Sequence, residues 1–77
     1  MKKINNTIKE LIFKLENNIE DVRFKRSNLL TTMELASKLN FNKEVDYMRE
    51  ESVRLMNEID IYKEILTDLN KIENDTL

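Results

Sequence analysis

Neither glycine nor proline occurs at any position of this chain, and that absence restricts the available folds more than any motif does. Sharp turns draw on glycine for left-handed backbone angles and on proline for a preset φ. A fold with many turns is therefore excluded, and few turns in 77 residues means long helices. No segment alternates apolar and polar residues between turn signals, as a half-buried strand would. The expected fold class is all-α, in a single domain over residues 1–77.

Two apolar stripes carry that expectation. Ile8, Leu15, Val22, Leu29 and Ala36 recur every seven residues, and Ile4, Leu11, Ile12, Ile19, Met33 and Leu39 fill the neighbouring positions three or four residues away. Such a stripe predicts an amphipathic helix over about residues 4–39. Farther on, Val45, Ser52, Ile59 and Leu66 form one heptad row and Met48, Leu55, Tyr62 and Leu69 the other. Phe41 precedes Met48 of that row by one heptad, and Ile65 and Ile72 widen the stripe. A second helix over about residues 42–72 follows, with residues 73–77 (ENDTL) frayed. On the surface, Glu10–Lys14, Asp21–Lys25, Glu34–Lys38 and Glu50–Arg54 set an acid four residues before a base, an orientation worth about 0.2–0.5 kcal/mol per pair.

The only stretch suited to a reversal is KLNFNKEVD, residues 38–46. After glycine, asparagine best tolerates the left-handed conformation that ends a helix, so Asn40 is the expected stop. Asn42 is then the expected cap of the next helix, with Glu44 and Asp46 favourable in its first turn; Asn40 as cap and Phe41 as first helical residue is the other arrangement. A single uninterrupted helix of about 100 Å is the alternative to a hairpin. The hairpin is preferred because both stripes share one seam only if the chain folds back. Charge agrees: residues 1–43 hold nine Lys/Arg against five Asp/Glu (+4), and residues 44–77 hold four against ten (−6). A basic helix beside an acidic one is attractive, though screened by salt.

A lone hairpin buries one stripe from each helix, and further apolar residues lie off the stripes. Phe13, Phe24 and Leu35 recur every eleven residues, close to a whole number of helical turns. Leu30, Tyr47, Val53, Met56 and Ile61 are also left over. A second apolar face on a thin hairpin marks a protein interface. The expected assembly is a homodimer, two hairpins forming an antiparallel four-helix bundle. Its seam is expected to include Ile8, Leu15, Val22, Leu29, Met48, Leu55, Ile59, Tyr62, Leu66 and Leu69.

Catalytic chemistry has few available groups. With no cysteine or histidine, thiolate chemistry, disulfides and zinc-finger or imidazole metal sites are excluded, and no cofactor is expected. No Gly-rich phosphate loop exists, and Ser27, Ser37 and Ser52 lie within helical patterns without a base to activate them. Glu50–Glu51 and Glu58 with Asp60 read as solvated helix faces, and a Glu-x-x-His di-metal bundle has no histidine to use. The protein is expected not to be an enzyme. Its start, MKKINNTIKELIF, interrupts apolar residues with charges and so lacks a signal-peptide core. No run approaches the roughly 20 apolar residues of a membrane span. A cytoplasmic protein without a membrane partner is expected.

The stretch VRFKRS, residues 22–27, sets Arg23, Lys25 and Arg26 beside the Phe24 ring. Cations next to an aromatic face are the ingredients of phosphate contact and base stacking. Against this, nucleic-acid modules carry a broad basic face, whereas this patch is short and the net charge is −2. Arg26 also falls where the stripe of the first helix expects an apolar residue. It is expected to extend its charge from the bundle edge or to pair with an acid of the second helix. Ser52, a small polar residue at a seam position, should face the first helix between Leu29 and Met33.

MELASKLNF, residues 33–41, keeps a Met-x-x-Ala-x-x-Leu-x-Phe spacing and resembles the first half of the UVR hairpin of nucleotide-excision-repair proteins and some protease adaptors. That family continues with an acidic residue, paired alanines and Arg-Asp. Here Asn42, Lys43, Glu44 and Val45 follow, and Arg49-Glu50 comes one residue late. The likeness covers nine of 77 residues and implies a helical hairpin. Small aspartyl-phosphate phosphatases are also short hairpins, but their Ser-Gln-Glu-Leu-Asp signature is absent from SVRLMNEID. In size and composition the chain is similar to the small all-helical accessory proteins of phages and mobile elements of low-GC bacteria, many of which bind and inhibit a host or defence protein. The expected function is thus a non-enzymatic protein–protein interaction module, an inhibitor or adaptor docking through Phe13, Phe24 and Leu35. The alternative is nucleic-acid or nucleotide binding through Arg23, Phe24, Lys25 and Arg26.

Overall fold

The computed structural model describes residues 2–76, without the side chains of residues 2–5 and of Thr76. Two helices account for nearly all of it: α1 (Lys2–Lys38) and α2 (Asn42–Thr76), packed against each other as a hairpin. The Cα trace measures 58 × 14 × 11 Å, so the molecule is two helices thick in one direction and one in the other. The continuous-helix alternative is thereby excluded.

Both helices outrun their apolar stripes. The first begins at Lys2 rather than near Ile4, and the second continues through residues 73–76, which were expected to fray; Leu77 lies outside the described residues. Residues 73–76 contain no glycine, proline or β-branched run to stop the helix before its last turn, so backbone hydrogen bonding extends past the last seam contact.

Asn40 ends α1, as its chemistry suggests. Its φ is +63°, and two backbone bonds lock the reversal. The Asn40 N–H donates to the Ser37 carbonyl at 3.1 Å and the Phe41 N–H to the Ala36 carbonyl at 3.0 Å. Together they form a Schellman cap, which satisfies carbonyls that the helix end would otherwise leave open. Lys38 stands in that last turn, where the helix dipole favours a cation.

The start of α2 differs from the expectation. Phe41, not Asn42 or Asn40, occupies the N-cap: its carbonyl accepts from the Val45 N–H at 3.0 Å, and Asn42 is already helical. The six-residue Schellman closure uses Phe41 N–H for the first helix, so the second must start at the very next residue. Only Asn40 among residues 2–76 has a positive φ without being glycine, which makes it the backbone hinge of the fold. Asn40→Ala is expected to lower stability by about 1 kcal/mol, because a Cβ without asparagine's local bonding raises the energy of this conformation. Asn40→Gly is expected to match or exceed the parent. Urea denaturation followed by circular dichroism reads both changes.

Burial follows a strict three-four alternation that fixes the register. On α1, Ile8, Leu15, Val22, Leu29 and Ala36 take the d positions, and Ile12, Ile19, Arg26 and Met33 the a positions. On α2, Val45, Ser52, Ile59 and Leu66 take a, and Met48, Leu55, Tyr62 and Leu69 take d; each of these residues is buried or half-buried. The tightest part is a cluster of Ile19, Val22, Leu55 and Ile59, with Leu29, Tyr62 and Leu66 packed on it. Among the described residues none is sealed from solvent on all sides, as a two-helix layer requires. Leu11, Leu39, Ile65 and Ile72 occupy g positions and are exposed, and so is Phe41. They flank the seam instead of widening it.

Charge is organised within each helix. Glu34–Lys38 closes at 3.8 Å as expected. Arg54, however, pairs with Glu51 three residues earlier rather than with Glu50, and no ion pair closes Glu10–Lys14 or Asp21–Lys25 among the described residues. Two further pairs at the shorter spacing are Arg23–Glu20 at 3.1 Å and Arg49–Asp46 at 3.2 Å. The guanidinium reaches back one turn more easily than the longer i,i+4 diagonal allows for these acids. Each of these four pairs lies within one helix.

Candidate interaction surfaces

The stretch VRFKRS is split by the register. Arg26, at a seam position, is half-buried: its stem lies along the seam and its Nε is out of reach of solvent with no hydrogen-bond partner, while the two terminal nitrogens are not sealed in. The expected pairing with an acid of the second helix does not form. Arg23, at an e position, donates from Nη1 to the Glu20 Oε1 and so spends its charge on its own helix. Phe24 is at f, opposite the seam, and Lys25 at g on the other flank. Only Phe24 and Lys25 remain as free elements of the cluster. One side of the helix therefore does not present all three cations together with the ring.

The eleven-residue row is also dispersed. Phe13, Phe24 and Leu35 are 65%, 69% and 59% exposed, which gives none of them a role in packing the hairpin. Relative to a seam that repeats every seven residues, each eleven-residue step rotates about 50° around the helix. The row therefore starts on the e side at Phe13, crosses the outer ridge at Phe24 and ends on the g side at Leu35. Phe13 and Leu35 are about 33 Å apart along the axis. An eleven-residue repeat is straight on an isolated helix, and only the seven-residue seam turns it into a diagonal.

The g flank holds what sequence reasoning passed over. Here Lys25 of α1 shares a shallow groove with Glu51, Arg54 and Glu58 of α2. Glu51 and Glu58 are half-buried, whereas Glu50 and Asp60, which read identically in sequence, are exposed. Glu51 accepts from Arg54, and that hydrogen bond holds its carboxyl below the usual carboxylate range. Glu58 accepts from the Tyr62 hydroxyl at 3.0 Å, which raises the tyrosine above its ordinary value. The available signal was the heptad letter: acids at g on α2 lie beside g residues of α1 in an antiparallel pair, while acids at b and f do not.

Ser52 is buried in the seam at the level of Leu29, counting equally from the turn, and acts as a packing residue. Thr31, Thr32 and Thr67 spend their hydroxyls on carbonyls four residues back. Among the described residues no three acidic side chains are grouped to hold a metal ion, and no helix is long and apolar enough to cross a membrane. The chain matches no protein-family model, no curated protein and no solved structure.

Proposed function

We propose that this protein is a non-enzymatic protein–protein interaction module that works as a homodimer in the cytoplasm. Its target is a protein partner, in the manner of a small phage-type inhibitor or adaptor acting on a host or defence protein. The observation that carries the reading is the large apolar side chains of α1 that the hairpin leaves exposed, with Phe24, on the outer ridge, the most exposed of them. Exposed aromatics of this size without an intramolecular role are the usual anchors of protein interfaces.

The diagonal course of the row narrows the site. A globular partner resting on the ridge reaches Phe24 and either Phe13 or Leu35, and a partner wrapping around α1 reaches all three. Nucleic-acid binding is the weaker reading, because Arg23 is committed to Glu20 and Arg26 to the seam. Lys25 alone is a poor electrostatic footprint.

The test is capture of partners by tagged protein from a low-GC bacterial lysate, with and without nuclease, using parent and Phe24→Asp forms. The expected result is a protein partner that survives nuclease and is lost at least tenfold with Phe24→Asp. Nuclease-sensitive capture that is weakened by salt would transfer the function to nucleic acid.

A further inference from the structure

The hairpin leaves too much of itself uncovered for a finished molecule, and the g flank shows what covers it. It exposes 6226 Å², whereas a compact chain of its 9.3 kDa exposes about 5,000 Å². Its radius of gyration is 17.4 Å against about 11 Å for a compact chain of this length. The excess of about 1,200 Å² exceeds the roughly 800 Å² that each partner contributes to an ordinary stable interface.

The chemistry of the flank is ordered along its length. Counting outward from the turn, the g row of α1 runs Thr32, Lys25, Asn18 and Leu11. On α2 the same row runs Glu51, Glu58, Ile65 and Ile72. The middle of the flank thus sets Lys25 against Glu51 and Glu58, with Arg54 already paired to Glu51, and the end far from the turn is apolar on both helices. Lys25 makes no ion pair among the described residues, and the apolar end is exposed.

From this we infer that a second copy of the chain stacks on the g flank about a two-fold axis parallel to the helices, with both turns at the same end. In that arrangement α1 of one copy lies antiparallel to α2 of the other. Leu11 meets Ile72 of the second copy, and Lys25 meets Glu58. The opposite stacking, with the axis across the helices, puts α1 on α1 and α2 on α2. That brings +4 onto +4 and −6 onto −6, counted over residues 1–43 and 44–77, and the charge distribution selects against it. The inference rests on the homodimer reading above and adds its face, its symmetry axis and its direction.

The absence of cysteine makes the test clean. Two single-cysteine chains, Leu11→Cys and Ile72→Cys, are mixed, allowed to exchange and oxidised. The expected result is a disulfide-linked mixed dimer, with Leu11→Cys mixed with Leu39→Cys giving at least tenfold less. Sedimentation equilibrium of the parent is expected to give twice the chain mass. The double variant Leu11→Glu/Ile65→Glu is expected to shift to the monomer, and Phe24→Asp to stay dimeric. A dimer that cross-links Leu11 to Leu39 overturns the stacking direction and leaves the homodimer standing. A dimer with neither cross-link that survives Leu11→Glu/Ile65→Glu overturns the choice of flank. A monomeric parent at concentrations where it is fully helical overturns both the stacking and the homodimer.

Discussion

Leu55→Ala is expected to abolish cooperative folding, or to lower the urea midpoint to the edge of the measurable range. Leu55 is 7% exposed and sits in the Ile19, Val22, Leu55 and Ile59 cluster, the tightest packing in the hairpin. Truncating a buried leucine costs about 2–5 kcal/mol, through lost transfer energy and the cavity left behind. A chain of this length rarely has more than about 3–5 kcal/mol to lose. One side chain therefore carries a share of stability comparable to the whole. Phe24→Ala removes more atoms from a position exposed to solvent, and its expected effect is within about 0.5 kcal/mol. Circular dichroism in urea on the pair separates the seam from the outer ridge: loss of helix in the first and an unshifted midpoint in the second. Equal shifts would mean that Phe24 is buried in solution, and the outer ridge would then belong to an interface between copies.

This contrast also shows what the sequence made legible. The seam residues could be read because the three-four spacing of Ile8, Ile12, Leu15, Ile19 and Val22, and of Leu55, Ile59, Tyr62 and Leu66, admits only one buried face. The hinge could be read because Asn40 is flanked by the ends of both stripes in a chain without glycine. The cap could not, since whether Phe41 or Asn42 begins α2 depends on how many residues the closure of α1 consumes, and spacing does not record that. Which acids pair also escaped: Glu50 and Glu51 are equivalent as letters, and the seam alone turns Glu51 toward the groove. The exposure of Phe13, Phe24 and Leu35 is legible in the eleven-residue row, but its diagonal course is not, because the seven-residue seam sets the frame in which a partner meets it.

Arg26 is where sequence and structure agree on an anomaly, and replacing it tests what the anomaly is for. Arg26→Leu is expected to stabilise the hairpin by about 1–3 kcal/mol, the cost of leaving a buried donor without a partner. The arginine stem covers apolar surface as a leucine would, so little packing is lost, and the orphaned Nε is removed. The expected drawback is in specificity. With Arg26 gone, α1 offers an unbroken apolar row from Ile8 to Ala36, and a heptad slide of α2 no longer changes which residues face a polar side chain of α1. Arg26 then joins Ser52, the buried polar residue of α2, as a mark that the helices align one way. A raised urea midpoint with broadened side-chain NMR signals would establish that role. A lowered midpoint would mean that the guanidinium is held by a partner in the dimer, and the search for its acceptor would begin with the acids of the second copy.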